Sequence, residues 1–279
     1  MTESQCIRLG VPALLEFRGP DRFRFLNGQM TQDVRQIHET NLALPSCITD
    51  AKGRLQFRVY VQEGEGESIW ISCRLKSADL LMERLTRYLI ADDVEVIDRT
   101  GSFRLDHIIF QASAPAGEIV RSCDRYAVPG WDCWNPASVN ESIYPAVLDG
   151  DLLEEFRILQ GIPKWGAELL KGILPPEAML DLTDISYQKG CYIGQEVISR
   201  IKSAGRVNKQ LKRFWIEGNH PTPPLPLMDR EQHQAGEVTS ISPVKTGMQT
   251  SALGFLKRNA QPPFFLVDAN GNLQPVHVR

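Results

Sequence analysis

The chain has 279 residues, 42% hydrophobic and 23% charged, with 31 Lys and Arg against 34 Asp and Glu for a net charge of −3. At about 150 residues per domain this length suggests two domains, and the near-neutral balance offers no broad basic field for nucleic acid or anionic lipid. No apolar window of about 18 residues is present, so a membrane span is not expected. The first residues lack the basic start and apolar core of a signal peptide, which makes a cytoplasmic protein the expectation.

Cys6, Cys47, Cys73, Cys123, Cys133 and Cys191 are scattered without C-x-x-C spacing, which reads as reduced, mostly buried thiols. The histidines show no H-E-x-x-H pairing, and G-x-G-x-x-G, Walker A and G-x-S-x-G patterns are all missing. A metal site and the common nucleotide-binding and hydrolase loops are therefore not expected.

In chain order, Leu14 to Phe17 reads as a strand, and Gly19-Pro20-Asp21 turns it into a short helix that Asp21 can cap. Cys47 to Thr49, a turn at Asp50 to Gly53, and alternation through Leu55, Phe57, Val59 and Val61 predict a hairpin with one buried face. Trp70 to Cys73 adds a strand. Ser77 then caps a predicted helix carrying Leu80, Leu81, Leu85 and Leu89 on its apolar side. Strands are expected at 94–97, 104–110 and 143–147, and a helix at 152–160. Strands and helices without regular β-α-β alternation point to α+β with mainly antiparallel sheets. Residues 161–178, rich in Gly and Pro, read as loop.

Past position 206, strands at 211–216, 237–241, 252–257 and 264–267 are separated by Pro- and Gly-rich turns. The run from His220 through Pro226 is extended rather than helical. A C-terminal β-barrel over 206–279 is the natural reading, which leaves 1–205 as an α+β region of two sub-domains.

One stretch stands apart: Lys189-Gly190-Cys191-Tyr192-Ile193-Gly194-Gln195-Glu196. Gly190 frees the backbone between a lysine and a cysteine, and Gly194 with Gln195 and Glu196 opens a helix. A thiol beside a lysine and near a helix start sits in a positive field that favours thiolate. Packing of the cysteine in a strand-to-helix turn is the plainer alternative.

This octapeptide resembles the signature of the YgfZ family, folate-binding relatives of the glycine-cleavage T-protein (aminomethyltransferase). G-P-D-R-F-R-F-L-N-G-Q-M-T-Q-D-V, T-D-A-K-G-R-L, R-I-L-Q-G-I-P, G-E-V-T-S and A-L-G-F-L-K-R resemble other blocks of that family. The resemblance implies a T-protein-like ring of two related mixed antiparallel-sheet portions plus a C-terminal β-barrel, with tetrahydrofolate or a derivative in the central hole. It implies support of iron–sulfur cluster assembly or repair in client enzymes, including tRNA-modifying ones, with iron–sulfur client or assembly proteins as partners. Lys189 and Cys191 are the expected catalytic or functional pair. Asn27, Gln29, Thr31, Gly190, Tyr192, Gly194, Gln195, Glu196, Arg200 and Arg206 are expected to bind folate or shape its site.

Departures from the T-protein pattern argue against glycine cleavage. Its hairpin carries paired acids in G-x-L-D-D-L-x-V, where this chain has Gln56 and Phe57, and an amide supplies neither charge nor a titratable proton. A one-carbon transferase with an altered catalytic group and a non-catalytic adaptor remain as alternatives. Residues 197–213 hold Arg200, Lys202, Arg206, Lys209, Lys212 and Arg213 without an acid. This reads as a solvated face or a seat for folate carboxylates, and nucleic acid is not an expected partner. Trp131 and Trp134 suit a flat ligand, but core packing is the commoner use of tryptophan.

Overall fold

The computed structural model describes residues 3–279 apart from 118, 139–143, 145–146, 206, 218–220, 248 and 269–270. Strand β1 (Gln5–Gly10) precedes β2 (Ala13–Arg18), α1 (Arg22–Gln29), α2 (Gln36–Thr40), β3 (Leu44–Thr49), β4 (Leu55–Glu63) and β5 (Ile69–Cys73). Next come α3 (Ala78–Thr86), β6 (Glu95–Asp98), β7 (Phe103–Ile109), β8 (Ile119–Ser122), β9 (Gly130–Pro136) and α4 (Gly150–Gln160). After short 3-10 turns, α5 (Gln195–Ala204) leads into β10 (Lys209–Glu217), β11 (Leu225–Met228) and β12 (Gln234–Thr246). Strands β13 (Gln249–Lys257), β14 (Phe264–Val267) and β15 (Leu273–Val278) complete the chain.

The chain divides into two units, Met1–Leu148 with Leu182–Ser199, and Asp149–Asp181 with Arg200–Arg279. The first holds two antiparallel sheets, ordered β3-β4-β5-β2-β6 and β1-β7-β9-β8. The predicted alternation in β4 buries Leu55, Val59 and Val61. They join Leu15, Phe17, Ile69 and Ile71 from neighbouring strands, and Phe25, Leu26, Leu81 and Leu85 from α1 and α3. Each such side chain contributes roughly 1.5–3 kcal/mol by leaving water, so this core carries much of the unit's stability. In the second unit β10-β13-β12-β11-β14-β15 close into a barrel filled by Phe214, Ile216, Leu227, Val238 and Leu266. Helix α4 packs against β12, where Arg157 bonds to Glu168 (3.1 Å) and Ser240 (3.0 Å). The predicted α+β class with antiparallel sheets and a C-terminal barrel is what the structure has.

Several local expectations are corrected. Asp21 precedes α1 without capping it; its carboxylate accepts from the Asp93 amide at 2.9 Å and pairs with Arg24 at 3.1 Å. Ser77 makes no cap bond to α3, because its hydroxyl accepts from Arg74 Nε instead. Leu80 is 61% exposed rather than part of the apolar side. The strand expected at 143–147 falls largely outside the described residues, though Val147 bridges Cys6. His220 of the extended run lies outside them too.

Candidate functional site

Helix α1 ends with carbonyls that no later helical amide can satisfy. Lys189 reaches this end and the turn beyond it: its Nζ donates to the carbonyls of Asn27 (2.7 Å), Met30 (2.7 Å) and Gln32 (2.8 Å). Three acceptors call for three N–H groups, which an ammonium has and a neutral amine lacks. Burial works the other way and pushes the amine down to about 7, with Asp33 opposing it. The Tyr192 ring lies 5.3 Å from Nζ. Every hydrogen of the ammonium is thus engaged by backbone, and none is left to donate to Cys191.

Four residues on, at Ile193, the octapeptide docks on the β3–β4 hairpin. Thr49 Oγ1 donates to the Ile193 carbonyl at 2.6 Å, and the Ile193 amide donates to the Gly28 carbonyl at 3.3 Å. Gly194 has φ +89°, and a Cβ there would stand 2.4 Å from the Asp50 carbonyl oxygen. Only glycine combines that backbone with that closeness. Gly190 is different: its φ is not left-handed and a Cβ would meet nothing within 4 Å, so the octapeptide's first glycine is not required by the fold.

Cys191 is the exposed cysteine of the six, and the other five are buried. Burial pushes the thiols of Cys73 and Cys133 up to about 12. Tyr192 packs with Ile185 and Ile198, the Gln195 amide donates to the Tyr192 carbonyl at 3.2 Å, and Glu196 and Arg200 are exposed on α5. Arg206 lies outside the described residues.

The polar residues expected from the N-terminal block are engaged within the protein. Asn27 Oδ1 accepts from the Val34 amide at 3.2 Å. Thr31, fully buried, donates to the Asp184 carbonyl (2.6 Å) and accepts from the Cys47 amide (2.9 Å). Gln29 Oε1 accepts from Arg84 Nη1 at 2.9 Å. These three residues hold the α1 exit, β3 and the segment before Lys189 in register.

Sequence reasoning missed Arg84, Arg58 and Asp184. Arg84 also donates to Gln56 Oε1 (2.7 Å) and to the Thr49 carbonyl (3.2 Å). Arg58 grips buried Asp184 through Nε (2.6 Å) and Nη2 (3.1 Å), tying β4 to the same segment. Neither pairing follows a short spacing, so periodicity could not have found them. Trp134 is core, edge-on to Trp70 with centroids 5.5 Å apart, and its indole N–H donates to Gln62. The basic run splits between α5 and β10. There Arg213 donates to the Leu159 carbonyl at 2.7 Å, and Lys209 lies 4.3 Å from the Phe255 ring centre. Among the described residues no group of three or more His, Cys, Asp or Glu is placed to hold a metal ion, and no helix is long and apolar enough to cross a membrane.

No family model matches the chain. It is similar to a Neurospora crassa protein named iron-sulfur cluster assembly factor IBA57 homolog, mitochondrial, at 27% identity over 86% of this chain and 60% of that one. The chain therefore spans about three fifths of that relative's length. It is also similar to the Klebsiella pneumoniae tRNA-modifying protein YgfZ, at 26% identity over 71% of this chain and 68% of that protein. Among solved structures, the glycine cleavage system aminomethyltransferase T from Bartonella henselae aligns with all of this chain and 85% of its own at TM-score 0.80 and 12% identity, a likeness of fold. The resemblance read from the octapeptide and the T-protein-like fold are both borne out.

Proposed function

We propose that the chain is a cytoplasmic tetrahydrofolate-binding accessory protein that supports iron–sulfur cluster assembly or repair in client enzymes, tRNA-modifying ones among them. The observation that carries this reading is Cys191: an exposed thiol on a loop anchored on one side by the Lys189 ammonium and on the other by the Gly194 contact. Such a thiol is presented rigidly to a partner, as transient handling of iron or sulfur by a client requires. Support also comes from relatives whose names refer to iron–sulfur cluster assembly and tRNA modification.

Folate binding is inferred from the T-protein-like fold and from Glu196, an exposed acid on α5 that can accept from an amino-pyrimidine edge. Asn27 Oδ1, Gln29 Oε1 and the Thr31 hydroxyl already bond protein groups, so their part is to shape the site. A transferase reading is weaker because Gln56 is neutral and bonded to Arg84.

The test is the activity of iron–sulfur enzymes in cells lacking this protein. Restoration by the wild-type chain and by Gly190→Ala, but not by Cys191→Ala at equal abundance, is expected. Full restoration by Cys191→Ala would remove the thiol from the function.

A further inference from the structure

We propose that Arg84 is the centre of an oxyanion-binding site in the first unit, built beside the junction of the hairpin and the octapeptide. Its half-buried guanidinium is fixed by two side-chain amides, Gln29 Oε1 at 2.9 Å and Gln56 Oε1 at 2.7 Å, and by the Thr49 carbonyl at 3.2 Å. All three acceptors are neutral, and no Asp or Glu forms an ion pair with Arg84 among the described residues. Arg121 is held in a comparable way, by the carbonyls of Val120 (3.0 Å) and Glu63 (3.1 Å), but three other arginines of the fold carry carboxylate partners. Arg58 has Asp184, Arg125 has Asp132 and Arg157 has Glu168, each carboxylate fully buried.

A half-buried cation with no carboxylate bonded to it, and only Asp50 acting on it from beyond ion-pair distance, is favoured by the arrival of an anion. Guanidinium has five N–H donors and three are spent, so two remain for a ligand. Its planar fork suits the paired oxygens of a carboxylate or phosphate. The Tyr88 ring, with its centre 4.4 Å from the Arg84 guanidinium carbon, holds the group from the other side. Position matters as well: Thr49 bonds Arg84 through its carbonyl and Ile193 through its hydroxyl. The cation therefore sits one residue away from the loop that carries Cys191. The ligand class is a small molecule bearing a carboxylate or phosphate group. Gln56, in the hairpin position where the T-protein pattern has acids, leaves this charge open instead of cancelling it.

The inference does not depend on folate binding, and its test uses no folate. Succinate and pyrophosphate are titrated separately into the full-length protein by calorimetry at low ionic strength, which distinguishes a carboxylate from a phosphate ligand. The decisive variant is Gln56→Glu. It keeps Arg84 and its tie to the hairpin but supplies an internal carboxylate, so it should fold with an unchanged or raised Tm and bind the anion at least about tenfold more weakly. Arg84→Gln should lose binding to a similar extent. Lys257→Gln/Arg258→Gln, which removes cations from a cleft in the barrel unit, should leave binding intact. If neither anion binds the wild type into the millimolar range, or if Gln56→Glu binds as the wild type does, the site is overturned and Arg84 is only a strut between α3 and the hairpin.

Discussion

Gly194 lies against Gly53: a Cβ on Gly194 would stand 3.0 Å from the Gly53 Cα and 2.4 Å from the Asp50 carbonyl oxygen. Two glycines far apart in the chain thus let the hairpin turn and the start of α5 touch backbone to backbone. Gly194→Ala is expected to lose about 1–3 kcal/mol from left-handed strain alone, with the clash adding to it. Gly190→Ala should stay close to wild type. Urea unfolding of both variants checks this, and equal losses would contradict the contact.

Lys189 is expected to matter for folding as well as for function. Lys189→Met leaves the carbonyls of Asn27, Met30 and Gln32 without their donor, a loss of about 3 kcal/mol because buried acceptors go unsatisfied. Hydrogen exchange should rise first in residues 27–34 and 186–193. A variant with wild-type stability and protection would mean that the carbonyl cage contributes nothing.

The six thiols should react in a fixed order. Cys191 is exposed and should be alkylated first at neutral pH, while Cys73 and Cys133, pushed up to about 12 by burial, should wait for unfolding. Peptide mapping after short exposure to iodoacetamide reads the order. Modification of a buried cysteine ahead of Cys191 would contradict it.

Acid stability should depend on Asp132. Burial raises its pKa, but Arg125 and the His107 contact outweigh that and hold it at about 2 against an ordinary 3.8. The folded carboxylate therefore binds fewer protons than the unfolded one. Its contribution, on the order of 2 kcal/mol, is complete above pH ~4 and is lost as pH falls through about 2. Arg125→Gln should move the acid-unfolding midpoint to higher pH. An unchanged midpoint would show that the pair contributes nothing to acid stability.

What could be read from the sequence was whatever depends on neighbours along the chain. The alternation from Leu55 to Val61 announced β4 because one sheet face is buried. Phe264 to Val267 announced β14 because an apolar run sits between turns. Strand β9 stayed hidden because Asp132 interrupts its apolar pattern, buried through pairing with Arg125. Strand β11 stayed hidden because Pro226 argues against a ladder, yet this strand tolerates a missing N–H. In the candidate site, the octapeptide was visible as a motif, but the meaning of its lysine was not. Lys189 bonds backbone carbonyls, which no residue type announces, across 157 to 162 positions. Arg84 was hidden for a related reason: its partners Gln29, Thr49 and Gln56 come together only through folding.

Folate binding is tested by an anaerobic titration of the purified protein with tetrahydrofolate, followed by tryptophan fluorescence, for wild type and Cys191→Ala. Saturable one-site binding of similar strength by both is expected, because the thiol serves the client rather than the folate. No saturable binding by the wild-type protein into the millimolar range would contradict it.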